Sequence, residues 1–347
     1  MIHMSIKSLV SSIALSAACV FPAHAASFAD LASKDTPQRH EQLVERARRE
    51  GSLTLYTSIP SKDMAVLTAD FEKRYGVHVN VWRASTLKVV QRMVAEKKAG
   101  QWNFDVVDIS SPELEALYRE GLLQQVDSKL HATLLEDAMP SHRGWAPQFI
   151  TLFVQAYNTN AIKEADLPKT YADLRDPKWK GQLGVEASDG DWYCGQVEHL
   201  GQEQGKQLFD DIVRTNKWSV RSGHSLLANM VVSGEVPIGL TTYSYMIDQA
   251  KRQGAPVDWF AIDPIIARTN GIAVSRQPAN PHAALLFYEY MISDAQPLIL
   301  KMDYYSPVKK LASSPKGASI RFVDPLMDRA EIERCNQAFM QLNKLSN

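Results

Sequence analysis

Short apolar runs alternate along this chain with longer amphipathic ones, and the alternation predicts its elements. Residues 38–49 read as an amphipathic helix that ends near Gly51. Leu53-Thr54-Leu55-Tyr56 follows as a strand and Ser58-Ile59-Pro60-Ser61 as a turn. Residues 64–75 place Met64, Leu67 and Phe71 on one helical face, with Gly76 as the stop. Residues 77–82 alternate as a second strand, residues 85–98 form the next helix, and Gly100 ends it. Residues 104–109 make a third strand, and Ser111-Pro112-Glu113 opens another helix with Ser at the N-cap and Pro at N1.

The same logic resumes downstream. Strands are expected at 183–187, 218–220, 236–241 and 257–262, and helices from near Asp191, over 225–233 and over 243–252. Between the two runs, residues 149–158 are apolar and extended, a candidate crossover between lobes; a return is expected near 263–271, and helices from about Pro281 onward close the structure. Strands alternating with helices imply parallel pairing and right-handed crossovers. The expected fold is α/β with two lobes, each a mostly parallel sheet flanked by helices, and a cleft between them. Lobe one takes residues 26–155 plus about 265–300 and lobe two takes 156–264, while the helical segment 301–347 is assigned to neither.

Composition narrows the function. The 347 residues suffice for two domains, and a formal charge of -1 gives no electrostatic reason to expect nucleic acid or an anionic membrane as partner. Residues 1–25 look like a signal peptide: Lys7, an apolar stretch from Leu9 to Phe21, then Ala23-His24-Ala25 as the cleavage site. The stretch falls short of the roughly 20 apolar residues a membrane span needs. A lipoprotein signal ending at Cys19 is the alternative, although Ser16 stands where such signals prefer Leu. The mature chain is expected to be soluble, periplasmic and monomeric. In an oxidising compartment Cys194 and Cys335 either pair or remain two separate thiols; both readings stay open.

Open α/β sheets bind ligands beyond the carboxyl ends of their strands, where helix N-termini converge. Those turns hold Ser58 and Ser61; Arg83, Ser85 and Thr86; Asp108, Ser110 and Ser111; then Ser188, Asp189 and Asp191; Arg221 and Ser222; and Tyr243, Ser244 and Tyr245. Each serine alone reads as a helix cap. As a set they make two polar rims suited to a carboxylate, phosphate or phosphonate, with arginines adding charge-assisted bonds. Trp192, Tyr193 and Tyr245 follow strand ends and are candidates to line the cleft. Motifs for catalysis are missing. Gly223-His224-Ser225-Leu226-Leu227 lacks the second glycine of a nucleophile elbow, and Gly201-Gln202-Glu203-Gln204-Gly205-Lys206-Gln207 is one residue short of a P-loop. His78 and His224 read as structural, since the histidines show no metal-ligand spacing.

Several runs carry a family likeness. Leu53-Thr54-Leu55-Tyr56-Thr57-Ser58, Phe71-Glu72-Lys73-Arg74-Tyr75-Gly76-Val77, Phe104-Asp105-Val106-Val107 and Leu117-Tyr118-Arg119-Glu120-Gly121-Leu122-Leu123 occur in order. Asp176-Pro177-Lys178-Trp179-Lys180-Gly181 and Gly234-Glu235-Val236-Pro237-Ile238-Gly239 follow. Together they resemble the ferric-iron-type periplasmic binding proteins of ABC importers over nearly all of the mature chain. The resemblance implies a two-lobed type II binding-protein fold, hinge closure on a ligand and docking to an inner-membrane ABC permease. It does not settle the cargo. Iron-binding members typically carry two adjacent tyrosines after the strand matching residues 236–241, and many have a histidine in the first-strand loop. This chain has Thr242-Tyr243-Ser244-Tyr245 and Pro60 there. Other members take phosphonates, sugar phosphates, thiamine or polyamines.

The reading that follows is a periplasmic binding protein for a small polar, anionic solute: a phosphonate, organic phosphate or carboxylate. Ser58, Arg83, Ser85 and Ser110 hold it from lobe one, and Ser188, Asp191, Trp192, Ser222, Tyr243 and Tyr245 close from lobe two. No resident cofactor is expected. The first alternative makes ferric iron the transported ligand, held by Tyr243, Tyr245 and Asp189. The others are an exported enzyme or a periplasmic sensor subunit using the same cleft.

Overall fold

A computed structural model describes residues 32, 36–312, 315, 318–324 and 326–346. The expected signal segment 1–25, with Cys19, lies outside the described residues. The first run of alternation forms α1 (Pro37–Glu50), β1 (Ser52–Thr57), α2 (Ser61–Tyr75), β2 (His78–Arg83), α3 (Thr86–Lys98), β3 (Val106–Ser110) and α4 (Ser111–Arg119). Gly51 and Gly76 close α1 and α2 with left-handed φ of 79° and 69°, a conformation that costs glycine nothing. The second run forms β5 (Leu183–Glu186), α5 (Gly190–Leu200), α6 (Gln202–Asn216), β6 (Trp218–Arg221), α7 (His224–Ser233), β7 (Ile238–Tyr243), α8 (Ser244–Arg252) and β8 (Val257–Phe260). Between the runs lies β4 (Ala146–Asn158); after them come β9 (Ile265–Val274), α9 (Pro281–Met291), α10 (Gln296–Lys301), β10 (Ile320–Phe322) and α11 (Arg329–Lys344).

The strands join in the order β2-β1-β3-β9-β4-β7-β5-β6, with β10 beside β9 and β8 beside β4. Each end of this sheet is parallel, as the alternation predicts: β1 pairs with β2 and β3, and β5 with β6 and β7. The middle is antiparallel. β9 runs against β3 and β4, and β4 against β7 and β8. Strand direction leaves no mark in residue periodicity, so this part was open to the structure alone.

β4 and β9 are buried along their whole lengths. The first part of β4, Ala146 to Leu152, pairs with β9; the rest pairs with β7 and β8. Both strands therefore carry the chain between the two parallel ends of the sheet. Polar side chains buried on them are bonded inside the protein. Thr151 Oγ1 donates to the Arg268 carbonyl at 2.9 Å, and the Gln155 carbonyl oxygen accepts from Ile262 N at 2.7 Å. Such partners offset the cost of taking polar groups out of water.

One end of the core is built on Phe71, Phe287 and Tyr290. The other is built on Tyr171, Trp192, Phe209 and Phe339. The last of these belongs to α11, which docks on α5. Cys194 and Cys335 form a disulfide between these two helices across 141 residues of sequence. Beside it, a Cβ on Gly190 would stand 2.7 Å from Asn336 Cα, so only glycine permits the approach. Trp218 Nε1 donates to Asn343 Oδ1 at 2.9 Å. Replacing both Cys194 and Cys335 by Ser is expected to lower unfolding free energy by roughly 2–4 kcal/mol. Chemical denaturation with an unchanged slope would measure it; an unchanged midpoint would show that the bridge adds nothing.

Candidate ligand-binding site

The centre of the candidate site is Arg268, a single charge in the buried strand β9. Its Nη2 donates to Asp191 Oδ1 at 2.5 Å and lies 3.5 Å from Asp189 Oδ1. Its Nη1 donates to the Tyr243 hydroxyl at 3.3 Å, and its guanidinium carbon sits 4.9 Å from the Phe153 ring centre. The partners come from separate elements. Asp189 precedes α5, Asp191 lies in the first turn of α5, and Tyr243 ends β7. Glu113, in the first turn of α4, approaches from the other parallel end of the sheet, close enough for Arg268 and Asp191 to perturb its charge.

His224 starts α7 and stacks on Tyr243, with ring centres 3.9 Å apart. Its Nε2 is 3.0 Å from Asp189 Oδ1. Glu186 ties the neighbouring turns together: it accepts from the Ser188 backbone N and hydroxyl at 2.6 Å each, and from Gly223 N at 2.8 Å. A second contact group lies alongside. Tyr245 stacks on Tyr304 at 4.1 Å, and the Tyr304 hydroxyl donates to Asp63 Oδ2 at 2.8 Å. Arg83 holds the β1–α2 turn by donating to the Ile59 and Ser58 carbonyls at 3.3 and 3.2 Å.

Burial and charge set the protonation of these groups. Burial pushes the carboxyls of Asp189 and Glu113 above their usual range, against the partial offset of His224 on the first and Arg268 on the second. Burial alone would lower His224, but the Asp189 carboxylate outweighs it and holds the imidazole above its ordinary value. Glu186 is drawn down despite its burial, by His224 and its hydrogen bonds to Ser188 and Gly223. The phenols of Tyr243 and Tyr245 are pushed up by burial and stay neutral. Asp108 is fully buried and rises to about 8, with Gln148 offsetting part of the shift.

Of the residues expected at the cleft, Asp189, Asp191, Tyr243 and Tyr245 converge here. Ser58 and Arg83 sit together at the β1–α2 turn. Ser110 is buried at the N-cap of α4, and Ser85 is exposed at the N-cap of α3; neither side chain makes a capping bond. Ser188 and Ser222 are exposed. Trp192 is a correction. It is fully buried against Tyr171, Phe209 and Phe339, because the first turn of α5 points its ring away from the crevice and into the α6 and α11 interface. Arg268, Glu113, His224, Tyr304 and Asp63 were not among the expected site residues. Arg268 had a signal: an arginine inside the apolar run Ile265-Ile266-Ala267 must find a buried partner. A separate cavity of about 400 Å³ lies between α1 and α9. Its polar groups already bond each other, Arg39 to Glu289 and Tyr75 to Asp294, so it is a weaker candidate.

Residues 67–319 match the family model described as bacterial extracellular solute-binding protein. The chain belongs to that family. This bacterial extracellular solute-binding protein is 22% identical over 326 residues to iron uptake protein A1 of Synechocystis, covering 88% of this chain and 89% of that one. Iron-bound HitA from Pseudomonas aeruginosa superposes with a TM-score of 0.70 at 21% identity, covering 85% of this chain and 99% of the other. AfuA from Actinobacillus pleuropneumoniae, solved with exogenous fructose-6-phosphate bound, superposes with a TM-score of 0.74 at 19% identity over the same shares. The fold is the two-lobed type II periplasmic binding protein fold. Proteins of this family bind solutes for ABC importers rather than transform them, and no helix among the described residues is long and apolar enough to cross a membrane.

Because Asp189 holds His224 up, Asp189→Asn is expected to drop the His224 titration below that of a free imidazole, as read by NMR. The sign for stability follows. A raised folded pKa stabilises below about pH 6.5 and loses that contribution as pH rises through the folded value. The melting difference between the two proteins should therefore be largest near about pH 5 and shrink in alkali. An unmoved His224 titration would dismiss the pairing.

Proposed function

We propose that this protein captures a small polar, anionic solute between its two lobes in the periplasm and delivers it to an inner-membrane ABC permease. The observation that carries the reading is Arg268. It is buried on a strand shared by both ends of the sheet, it is met by residues from both, and its Nε–H has no protein acceptor. A phosphate, phosphonate or carboxylate entering beside it gains a charge-assisted bond and competes with Asp191. Arg83 and the N-termini of α2, α3 and α4, with Ser58, Ser85 and Ser110, add donors on the facing side. AfuA, of the same fold, was solved with a sugar phosphate.

In this reading lobe one comprises residues 26–155 with about 265–300, and lobe two residues 156–264, with β4 and β9 as the two connecting strands. The C-terminal segment belongs to both: Tyr305 bridges to Ile150, and α11 is bonded to α5. Ligand contacts made by both lobes favour the closed form, and only that difference shifts the hinge equilibrium. Residues 1–25 direct export, the disulfide suits an oxidising compartment, and the mature protein acts as a monomer.

Ferric iron is the second reading, favoured by the iron-uptake protein and iron-bound HitA among the relatives. Tyr243 and Tyr245 stack 5.9 Å apart and, with Asp189, would supply the oxygens. A thermal-shift panel of organic phosphates, phosphonates, carboxylates and ferric citrate tests both. A ligand at roughly 100 times its Kd should add about 2.7 kcal/mol of stability. For an anionic hit, Arg268→Gln and Arg83→Ala should each weaken binding by at least about 10-fold, in keeping with loss of a charged hydrogen bond. A response to ferric citrate alone, with a visible absorption band lost in Tyr245→Phe, would replace the anion with iron.

A further inference from the structure

Resting on that reading, we propose that the cargo also carries an ammonium group, seated among Glu113, Asp189 and Asp191. The charge balance at the crevice points there. Around the Arg268 and His224 pair stand four carboxylates, Glu113, Asp189 and Asp191 beside the arginine and Glu186 beside the histidine, against those two cations. Glu186 is spent on Ser188 and Gly223, and His224 is spent on Asp189. What is left over is specific. Glu113 Oε2, Asp189 Oδ2 and Asp191 Oδ2 are buried oxygens that accept no hydrogen bond, and the Asp189 side chain is wholly buried. Arg268, which is also more than nine-tenths buried, keeps one free N–H among them.

Buried acceptors without donors cost free energy, and the cost grows when they are ionised. A purely anionic cargo answers the Arg268 N–H but adds a negative charge to a set already rich in them. A cargo with an ammonium next to its acid group answers both. The ammonium donates to the three leftover carboxylate oxygens, and the acid group accepts from Arg268 and the facing helix N-termini.

A metal ion fits the same carboxylates less well. Glu186, Asp189 and His224 offer ligand atoms within 4.8 Å of one another. Both Glu186 oxygens already accept backbone N–H groups, and His224 Nε2 already faces Asp189 Oδ1 at 3.0 Å.

The test uses two probes with the same acid group, O-phosphoethanolamine and glycerol 3-phosphate, titrated calorimetrically into the mature protein. The first should bind at least about 30-fold more tightly, the range expected for charged hydrogen bonds. Asp191→Asn should bring the affinities of the two probes to within about 3-fold of each other. Equal binding of the probes to wild type would overturn the ammonium and leave the anion reading standing. Binding of ethanolamine or putrescine with neither phosphate would keep the ammonium and overturn the anion. Binding of ferric citrate alone, or of no amine-bearing probe, would overturn the inference outright.

Discussion

The contact between Arg268 and the Asp189–Asp191 turn is the constraint on which the crevice depends. A buried guanidinium is tolerated only with partners, and removing one partner leaves a charge that water no longer stabilises. Arg268 sits on β9, while its carboxylates sit at the start of α5. The two must be held in register to within hydrogen-bond distance. That requirement explains why α5 is anchored so heavily. The disulfide fixes it to α11, Gly190 lets α11 approach its first turn, and Trp192 and Tyr193 pack on Phe339. The C-terminal helix, far away in sequence, therefore positions the carboxylates that meet Arg268.

A similar economy governs the two connecting strands. β4 and β9 are buried throughout and antiparallel to each other, yet they link two parallel ends of a sheet. They carry Gln148, Thr151, Gln155, Arg268, Thr269 and Asn270 in the interior. Gln296 donates to the Gln148 carbonyl, and Thr151 and Gln155 bond neighbouring backbone. These bonds keep the connection ordered while Tyr245 on Tyr304 and Gln249 near Asp63 bring α8 against the C-terminal segment and α2.

The alternation of apolar and amphipathic runs was enough to place the strand and helix units, the two connecting stretches and the polar turns between them. It succeeded because periodicity and helix stops are local: residues 53–56, 104–109 and 183–187 each declare a strand from their own neighbours. The polar turns are legible for the same reason, and Asp189, Asp191, Tyr243 and Tyr245 lie in or beside them.

Tertiary structure decided what depends on distant partners. Whether Cys194 meets Cys335, which way β9 runs against β4, and whether Trp192 faces cleft or core are settled by packing between segments far apart in the chain. Arg268 is the sharpest case. Its sequence context says only that a charge is buried; that it pairs with Asp191, from another strand–helix unit, follows from the folding of the sheet around it. Local pattern determines which elements form, because each is specified within a few residues. Long-range side-chain pairing determines the site, because no local pattern encodes which carboxylate will meet a lone buried arginine.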